Sequence, residues 1–272
     1  MICMLKNKTL FIDCDDTLIM HDKEKSCIPD SSYRAIELLK RNGHRLVLAT
    51  GRANFQVEGI MKELDIRDAI LFNGAFILAN DEIIYDNPIG SGELDCIVKE
   101  LMKNGNSIYA VDKEYQYIKD PKEIIMRFIT ERMRPGHKDY DESYIRKVKE
   151  IDTKKRDYYF FMSLDKNHIL ESLKDLLTNL QVNRWEDNVI DISNVGVNKY
   201  FGIEKIQKHY SLDYNDIYAF GDGYNDIEMI KNVKNGVVMG NSPQELQKYA
   251  SYVAPRIDKD GFFIACQELK LI

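Results

Sequence analysis

Two short acidic segments, each preceded by an apolar run, constrain the fold of this chain more than any other feature. The segments are F-I-D-C-D-D-T-L at 11–18 and F-G-D-G-Y-N-D at 220–226. The apolar run before each one predicts a buried strand, with the acidic residues at its mouth. If the segments meet, their like charges oppose folding unless a cation neutralises them. A hard, oxygen-seeking ion such as Mg²⁺ meets that requirement, so the two segments predict a metal-dependent enzyme.

Composition and charge are typical of a globular protein and argue against several kinds of partner. The chain has 272 residues, 44% hydrophobic and 30% charged, which allows one large or two ordinary domains. Its net charge of −6 argues against binding to nucleic acid or to an anionic membrane. No apolar run is long enough to cross a bilayer. We expect a monomer or a weak homodimer.

The cysteines and the N-terminal residues predict a cytoplasmic location. The five cysteines are scattered and form no C-x-x-C pair, which is typical of reduced thiols in a reducing compartment. The first acidic motif begins at Asp13, where the apolar core of a signal peptide would run. No secretory signal is therefore expected.

Strands and helices alternate along the first part of the chain. The hydrophobic pattern predicts strands at 8–13, 45–50 and 69–73, helices at 31–43 and 53–64, and a hairpin at 75–85 that turns at Asn80 and Asp81. The first helix is expected to begin at a serine and to end before Gly43. Single helices between strands imply right-handed parallel crossovers, with ligands at the carboxyl ends of the strands.

The pattern changes between about residue 87 and residue 187. Short alternating strands at 107–111 and 158–164 lie among predicted amphipathic helices at 93–103, 121–132 and 167–178. This arrangement favours an antiparallel sheet with helices on one face. After residue 188 the pattern is again that of strands alternating with helices in a parallel sheet, with strands predicted at 216–222 and 236–240. The prediction is an α/β core of residues 1–86 and 188–272, interrupted by an inserted α+β domain of residues 87–187.

The first acidic segment offers the groups that a phosphoryl transfer needs. Asp13 ends a strand, and Asp15 lies two residues further, so the two carboxylates can reach one ligand from different directions. An aspartate can attack phosphorus and form an acyl phosphate. A second carboxyl can protonate the leaving oxygen and then activate water. The alternative is a turn in which Asp and Thr side chains cap backbone N–H groups.

The segment L-A-T-G-R at 48–52 predicts a phosphate-binding turn after the second strand. Thr50 offers a hydroxyl, and Gly51 lets the backbone approach a phosphate closely. Their N–H groups lie at the start of a predicted helix, which is a natural anion site. Arg52 can clamp a substrate phosphate. A plain helix cap with a surface arginine is the alternative.

Two further segments carry candidate residues near helix starts. Lys199, in V-G-V-N-K-Y at 195–200, would oppose the helix dipole unless an anion is its partner. It can balance Asp13 and a transferring phosphoryl group, or it is an ordinary surface lysine. In the second acidic segment, glycines flank Asp222 and permit a tight turn, and Asn225 can donate or accept a hydrogen bond. Asp226 can bind the metal or cap the next helix.

These four motifs, in this order and at these strand ends, strongly resemble the four motifs of the haloacid dehalogenase superfamily. More narrowly, the chain resembles the Cof-type phosphatases, in which a large cap domain is inserted between the second and third motifs. Three further segments look like marks of that subfamily: L-F-N-G-A at 71–75, M-G-N-S at 239–242 and D-G-F at 260–262. The resemblance implies a Rossmann-like parallel-sheet core with an inserted cap, and it covers the cap only in placement and length.

The resemblance also implies a role for each candidate residue. Asp13 would be the nucleophile and Asp15 the general acid and base. Thr50 and Lys199 would hold the phosphoryl group. Asp13, Asp222 and the backbone carbonyl of Asp15 would form the magnesium site, with Asn225 and Asp226 in support. One departure is visible, because Asp16 stands where the commonest family pattern has Gly. Aspartate tolerates unusual backbone angles, so we expect a small local effect, although an extra carboxylate can alter metal affinity.

The predicted function is a magnesium-dependent phosphatase acting on small phosphomonoesters such as sugar phosphates, nucleotides or phosphorylated cofactors. A phosphomutase or phosphotransferase is the alternative within the same chemistry. A receiver-type signalling domain also uses acidic residues, a Thr and a Lys, but it needs about half this length. The histidines show no metal-ligand spacing, so a second metal site built from them is not expected. Trp185 and Y-Y-F-F at 158–161 are expected in the core of the inserted domain, and H-K-D-Y-D-E at 137–142 in a polar loop.

Overall fold

The structure is a computed structural model that describes residues 7–21, 26–120, 142–164, 177–186 and 189–272. The chain divides into two compact units. The first unit comprises Met1–Gly51, Ile60–Tyr85 and Asn198–Ile272, and the second comprises Arg52–Gly59 and Asp86–Val197. The helices predicted at 121–132 and 167–178, and the polar loop predicted at 137–142, lie wholly or largely outside the described residues.

Strands make up the two large sheets and one short hairpin. In chain order they are β1 Thr9–Ile12, β2 Met20–His21, β3 Ser26–Cys27, β4 Arg45–Ala49, β5 Asp68–Leu71, β6 Phe76–Ala79, β7 Glu82–Asp86, β8 Ile108–Val111, β9 Gln116–Lys119, β10 Ile145–Lys147, β11 Phe160–Leu164, β12 Leu180–Glu186, β13 Val189–Asn194, β14 Ile217–Gly221, β15 Asn235–Val238 and β16 Tyr252–Val253.

Helices connect the strands of the first unit, and one helix packs in the core of the second unit. Those within the described residues are α1 Asp30–Arg41, α2 Glu58–Leu64, α3 Ser91–Lys103, α4 Lys199–Tyr210, α5 Ile227–Asn232, α6 Gln244–Gln247 and α7 Gly261–Glu268. None of these helices combines the length and the apolar character that crossing a bilayer requires.

The sheet of the first unit brings together strands that are far apart in the chain. Its eight strands run in the order β16-β15-β14-β1-β4-β5-β6-β7. The pairs from β16 to β5 are parallel, and β6 returns antiparallel to β5. In the centre of the sheet, Ile12 lies opposite Leu48 on one side and opposite Phe220 on the other. The carboxyl ends of β1, β4 and β14 therefore lie side by side, as the alternating pattern predicts.

Burial explains why β1 occupies the centre of this sheet. All four of its residues are buried, and three of them are large and apolar. A strand in a parallel sheet is covered on both faces, so it needs a continuous apolar run. Phe11 packs in one cluster with Val47 from β4 and with Ile203 and Ile206 from α4. Each such side chain contributes about 1.5–3 kcal/mol by leaving water.

The second unit has its own sheet and its own core. Its six strands run in the order β10-β9-β8-β11-β13-β12, with antiparallel pairs except between β9 and β10. Helix α3 contributes Leu94 and Ile97 to a buried cluster that also contains Tyr158 and Phe161. The expectation that Y-Y-F-F packs a core is therefore confirmed for these two rings. Trp185 lies in β12, but its side chain is outside the described residues.

Local structure departs from the sequence predictions in three places. The helix predicted at 53–64 is a 3₁₀ turn at Asn54–Gln56 followed by α2, because the Gln56 side chain accepts the Ala53 N–H and closes a separate turn. Helix α1 is preceded by Pro29, whose fixed backbone angle suits this position, and no serine caps it. The short β2–β3 hairpin was not predicted.

Candidate active site

The two acidic segments meet at the carboxyl end of the central strands. The Asp13 N–H donates to the carbonyl of Phe220 at 2.9 Å, which joins the end of β1 to β14. Asp13, Asp222 and Asp226 each offer a carboxylate oxygen, and these three oxygens lie within 4.8 Å of one another. Asp13 and Asp226 are buried, and Asp222 is partly buried. Three carboxylates from opposite ends of the chain therefore share one small, largely dry volume.

Lys199 connects two of these carboxylates. Its Nζ lies 2.5 Å from Asp13 Oδ1 and 2.6 Å from Asp226 Oδ1, and the side chain is completely buried. Burial alone would lower the pKa of Lys199, but the charges of Asp13 and Asp226 outweigh it and raise the pKa above its ordinary value. The ammonium group therefore stays charged. The alternative of a surface lysine is wrong, and the anionic partners expected for a lysine at a helix start are present.

The first residue of α4 is Lys199, and two neighbours set where that helix begins. The Asn198 side chain accepts the Phe201 N–H at 2.9 Å and caps the helix. Gly74 has φ +109°, and a Cβ there would lie 2.4 Å from the Asn198 carbonyl oxygen. Only glycine permits this close approach, which fixes the helix start against the loop after β5.

Asp226 uses both of its oxygens within the site. Oδ1 pairs with Lys199, and Oδ2 accepts the N–H groups of Asp222 at 3.0 Å and Gly223 at 2.9 Å. The carboxylate therefore points back into the turn before it, and it makes no side-chain cap to α5. A Cβ at Gly221 would lie 2.5 Å from the Asp226 carboxyl carbon, so the turn needs glycine there. This geometry suits a support for the site better than a metal ligand.

Asp222 is held by the first acidic loop and by an asparagine that the sequence reasoning did not select. The Thr17 hydroxyl lies 3.4 Å from Asp222 Oδ1. The Asn241 amide donates to the Asp16 carbonyl at 2.8 Å and lies 3.4 Å from Asp222 Oδ2. Its own oxygen accepts the Ile257 N–H at 3.0 Å. The signal for Asn241 was present in M-G-N-S, which follows β15 at the same edge of the sheet.

Thr50 and Gly51 follow β4 beside this cluster. Thr50 is fully buried; its N–H donates to Ile70 at 2.8 Å, and its carbonyl accepts the Asn73 N–H at 3.0 Å. The Asn225 amide donates to Asn73 Oδ1 at 3.2 Å. Asn73, a second residue that the sequence reasoning did not select, therefore links the Thr50 turn to the Asn225 turn; its signal was L-F-N-G-A. Arg52, the other predicted phosphate ligand, falls in the second unit.

The remaining acidic residues of the first loop differ in their surroundings. The Asp15 carboxylate is 40% exposed, and its Oδ1 lies 2.7 Å from His21 Nε2. The other ring nitrogen of His21 lies 2.7 Å from the Ser26 hydroxyl. Asp16 has φ +55°, in the left-handed region that glycine adopts readily and aspartate tolerates. The contact of His21 with Asp15 had no signal in residue spacing.

Burial and crowding raise the pKa of two carboxyl groups at this site. Burial, followed by the charge of Asp226, raises the pKa of Asp13 well above its ordinary value, against the lowering effect of Lys199. The same two causes, in the same order, raise the pKa of Asp222 to about 7. Nearby positive charge lowers such pKa values, and the atoms that the three carboxylates offer to a metal are all oxygens. The cluster therefore fits a hard divalent cation such as Mg²⁺.

Comparison with known proteins agrees with this geometry. Residues 10–265 match the family of haloacid dehalogenase-like hydrolases. YkrA of Bacillus subtilis, named as a candidate phosphatase, is 30% identical over 98% of this chain and 100% of its own length. The 5-amino-6-(5-phospho-D-ribitylamino)uracil phosphatase YitU of Bacillus subtilis is 27% identical over 92% of this chain and 93% of its own.

A solved structure shows the same fold. The subclass IIB sugar phosphatase BT4131 superposes with a TM-score of 0.80 at 23% identity, covering 98% of this chain and 100% of that one. The parallel sheet, its carboxylate and lysine cluster and these relatives define a phosphoric monoester hydrolase. The chain belongs to the haloacid dehalogenase-like hydrolases.

Proposed function

We propose that this chain is a magnesium-dependent phosphatase that hydrolyses small phosphomonoesters through an aspartyl-phosphate intermediate on Asp13. One observation carries the proposal: a fully buried Lys199 pairs with Asp13 and Asp226 while Asp222 lies within 4.8 Å of both carboxylates. A buried cluster of this kind is costly to fold, so its charges are better explained by the chemistry that they perform.

Asp13 is the nucleophile in this proposal. Its carboxylate must be ionised to attack, yet burial and the charge of Asp226 raise its pKa. Lys199 opposes that rise from 2.5 Å and remains charged throughout the reaction. As the attack spreads negative charge over the phosphoryl oxygens, the ammonium group stabilises it in a site with little water.

Asp15 transfers the proton. In the first step a bond forms between an Asp13 oxygen and phosphorus, the ester P–O bond breaks, and Asp15 gives its proton to the leaving oxygen. In the second step Asp15 takes a proton from water, the water oxygen bonds to phosphorus, and the bond from phosphorus to Asp13 breaks. Inorganic phosphate leaves, and both carboxyl groups return to their initial states.

The metal site would consist of the Asp13 and Asp222 side chains and the Asp15 backbone carbonyl. Asp226 and Asn241 would hold Asp222 in place through the turn and the amide contact described above. When bound, Mg²⁺ would supply positive charge next to the phosphoryl group. The raised pKa values of Asp13 and Asp222 support this assignment, because burial, followed by the charge of Asp226, disfavours their charged forms, and a bound cation would offset both effects.

The phosphoryl group would be held by Thr50, Gly51, Lys199 and Asn225. Asn73 would keep the Thr50 and Asn225 turns together, since it contacts both. We further propose that the second unit is the cap domain that selects the leaving group and that Arg52 clamps the substrate. The boundaries proposed for that domain are 87 and 187, between core segments 1–86 and 188–272.

The substrate class is a small phosphorylated metabolite. The relative YitU is named for a phosphorylated ribitylaminouracil, and BT4131 is named as a sugar phosphatase. A sugar phosphate or a phosphorylated cofactor precursor is accordingly our first choice for this chain. Among the described cysteines, Cys27, Cys96 and Cys266 are free thiols, which supports a reducing compartment such as the cytoplasm.

A phosphate-release screen tests the proposal. Purified protein is assayed against sugar phosphates, nucleotides and phosphorylated ribitylaminouracil, with Mg²⁺ and with a chelator. We expect multiple turnover that depends on Mg²⁺ and that Asp13→Asn abolishes. Transfer of phosphate to a second sugar hydroxyl without free phosphate would identify a phosphomutase instead. A single slow turnover would identify a receiver-type protein.

Trapping tests the intermediate separately. With substrate carrying ³²P, acid quenching during turnover should leave label on the wild-type protein, and hydroxylamine should remove it, since acyl phosphates react with that nucleophile. Asp13→Asn should carry no label. Phosphate release without any labelled protein would contradict the covalent step, even if the enzyme is an active phosphatase.

A further inference from the structure

The Asp15 carboxylate is held by a side chain that none of the motifs contains. Its Oδ1 lies 2.7 Å from Nε2 of His21, and Nδ1 of the same ring lies 2.7 Å from the Ser26 hydroxyl. A carboxylate oxygen can only accept, so Nε2 carries the hydrogen of the first bond. In the neutral ring Nδ1 then accepts from the hydroxyl. The three groups form one hydrogen-bonded chain from Ser26 through His21 to Asp15.

The backbone is fixed at both ends of the hydrogen-bonded chain from Ser26 to Asp15. His21 and Ser26 are paired across the β2–β3 hairpin. The His21 N–H also lies 3.4 Å from Asp16 Oδ1. On the other side, the acidic loop closes on itself through the bond from the Ile19 N–H to the Cys14 carbonyl at 2.7 Å. The His21 side chain is 13% exposed, so packing restricts its ring to this orientation.

We propose that His21, anchored by Ser26, is a positioning residue for proton transfer by Asp15. This inference rests on the proposed function, in which Asp15 protonates the leaving oxygen. Because His21 donates to Oδ1, that oxygen remains an acceptor whether or not the carboxyl group carries a proton. Oδ2 is then the oxygen that gives its proton to the leaving group and later takes one from water. Without the ring, the carboxylate loses the donor that orients Oδ1.

The leaving group provides a readout that a purely structural role would not change. A sugar alkoxide is a strong base and needs the proton as the ester bond breaks. A 4-nitrophenolate is a weak base and departs without it. Misplacing the acid therefore lowers kcat/KM, which reports the steps up to departure of the leaving group, for sugar phosphates while leaving kcat/KM for 4-nitrophenyl phosphate little affected. The later attack of water on the aspartyl phosphate is common to both substrates and does not enter this ratio.

The test compares the two substrates in His21→Ala. We expect kcat/KM on a sugar phosphate, relative to kcat/KM on 4-nitrophenyl phosphate, to fall at least about tenfold, a part of the roughly 10²–10⁴-fold that a general acid contributes. His21→Gln, whose Nε2 donor replaces that of the ring, should restore most of the ratio. Ser26→Ala, which removes only the anchor, should lower it by a smaller factor in the same direction.

His209→Ala is the matched control, since His209 is an exposed histidine near the end of α4, and its ratio should equal that of the wild type. Equal losses of kcat/KM on both substrates in His21→Ala, which leave the ratio unchanged, would overturn the inference. If His21→Ala does not fold, Ser26→Ala decides alone, and an unchanged ratio there overturns it. A wild-type protein that releases no phosphate from either substrate contradicts the proposed function itself, which separates the two failures.

Discussion

The ammonium group of Lys199 lies 2.6 Å from Asp226 Oδ1, and neither side chain is exposed to solvent. The second oxygen of Asp226 holds the N–H groups of Asp222 and Gly223. Asp226 therefore links the position of the Lys199 ammonium group to the shape of the turn that carries Asp222. Removing either partner would leave a charge in a medium that solvates it poorly.

Asp226→Asn should destabilise the protein. The buried ammonium group keeps Asp13 but loses its second counter-charge, and removing one partner of a buried pair costs about 3–5 kcal/mol. Guanidinium unfolding monitored by circular dichroism measures the free energy of unfolding. Asp258→Asn is the control, because the exposed pair of Asp258 with Arg256 should contribute less than about 1 kcal/mol. Similar losses in both variants would contradict the importance of the buried pair.

The metal-free stability should depend on pH through Asp222. Its pKa is about 7 in the folded protein, against an ordinary value of 3.8. Between these values the folded state holds a proton that the unfolded chain has released. The free energy of unfolding therefore falls as pH rises from about 4 to about 7, by up to about 1.4 kcal/mol per pH unit.

Asp222→Asn lacks this contribution. In the presence of a chelator, the stability of this variant relative to the wild type should therefore increase between about pH 4.5 and about pH 7.5, a range that covers most of the window between the two pKa values. Thermal unfolding of the two proteins across that range measures the difference. Added Mg²⁺ should stabilise the wild type more at the higher pH, because binding competes with the proton. A parallel pH dependence in both proteins would refute the assignment.

Asn241→Ala should weaken metal binding more than it weakens the fold. Asn241 joins the Asp16 carbonyl to the Asp222 carboxylate, and residues that orient metal ligands typically contribute about 10–100-fold to affinity. The Mg²⁺ concentration at half-maximal activity should rise by about that factor. Asn215→Ala serves as the control and should leave that concentration unchanged, because the exposed Asn215 side chain donates to Asp213, only two residues away. An unchanged metal requirement in Asn241→Ala would count against its role.

Gly74→Ala should disturb the start of α4. The new methyl group would lie 2.4 Å from the Asn198 carbonyl oxygen, at a backbone φ of +109° that alanine avoids. We expect a loss of more than about 2 kcal/mol in the free energy of unfolding, together with lower activity as Lys199 moves. Gly92→Ala is the matched control in α3, where a Cβ meets nothing within 4 Å. That change should be neutral or stabilising by up to about 1 kcal/mol.

The sequence was sufficient for elements whose signal is local. The apolar run before Asp13 predicted β1, and the left-handed turn at Asn80 and Asp81, with φ of +52° and +65°, closes the predicted hairpin. The acidic residues after each apolar run lie at the strand ends because the strands are parallel. The backbone at Asp16 is also a local property, since an aspartate in place of glycine still adopts a positive φ.

Contacts between distant polar side chains could not be read in this way. The amide of Asn225 meets Asn73 across 152 residues, and that of Asn241 meets Asp16 across 225. Asparagine is common in loops for local reasons, so its type alone does not identify a partner. His21 lies close to Asp15 in sequence, yet its ring orientation depends on the hairpin to Ser26, which is too short to leave a periodic pattern.

The pairing of Lys199 with Asp13 spans 186 residues, and it has a consequence for biosynthesis. Strand β1 leaves the ribosome long before its neighbour β14 is made, so the apolar residues of β1 stay unpaired on that side during synthesis. Long-range pairing of this kind slows folding because loop closure precedes the contacts that reward it. A nascent chain can therefore acquire catalytic competence only after Lys199 and β14 have been made, and until then β1 lacks one of its two neighbours in the sheet.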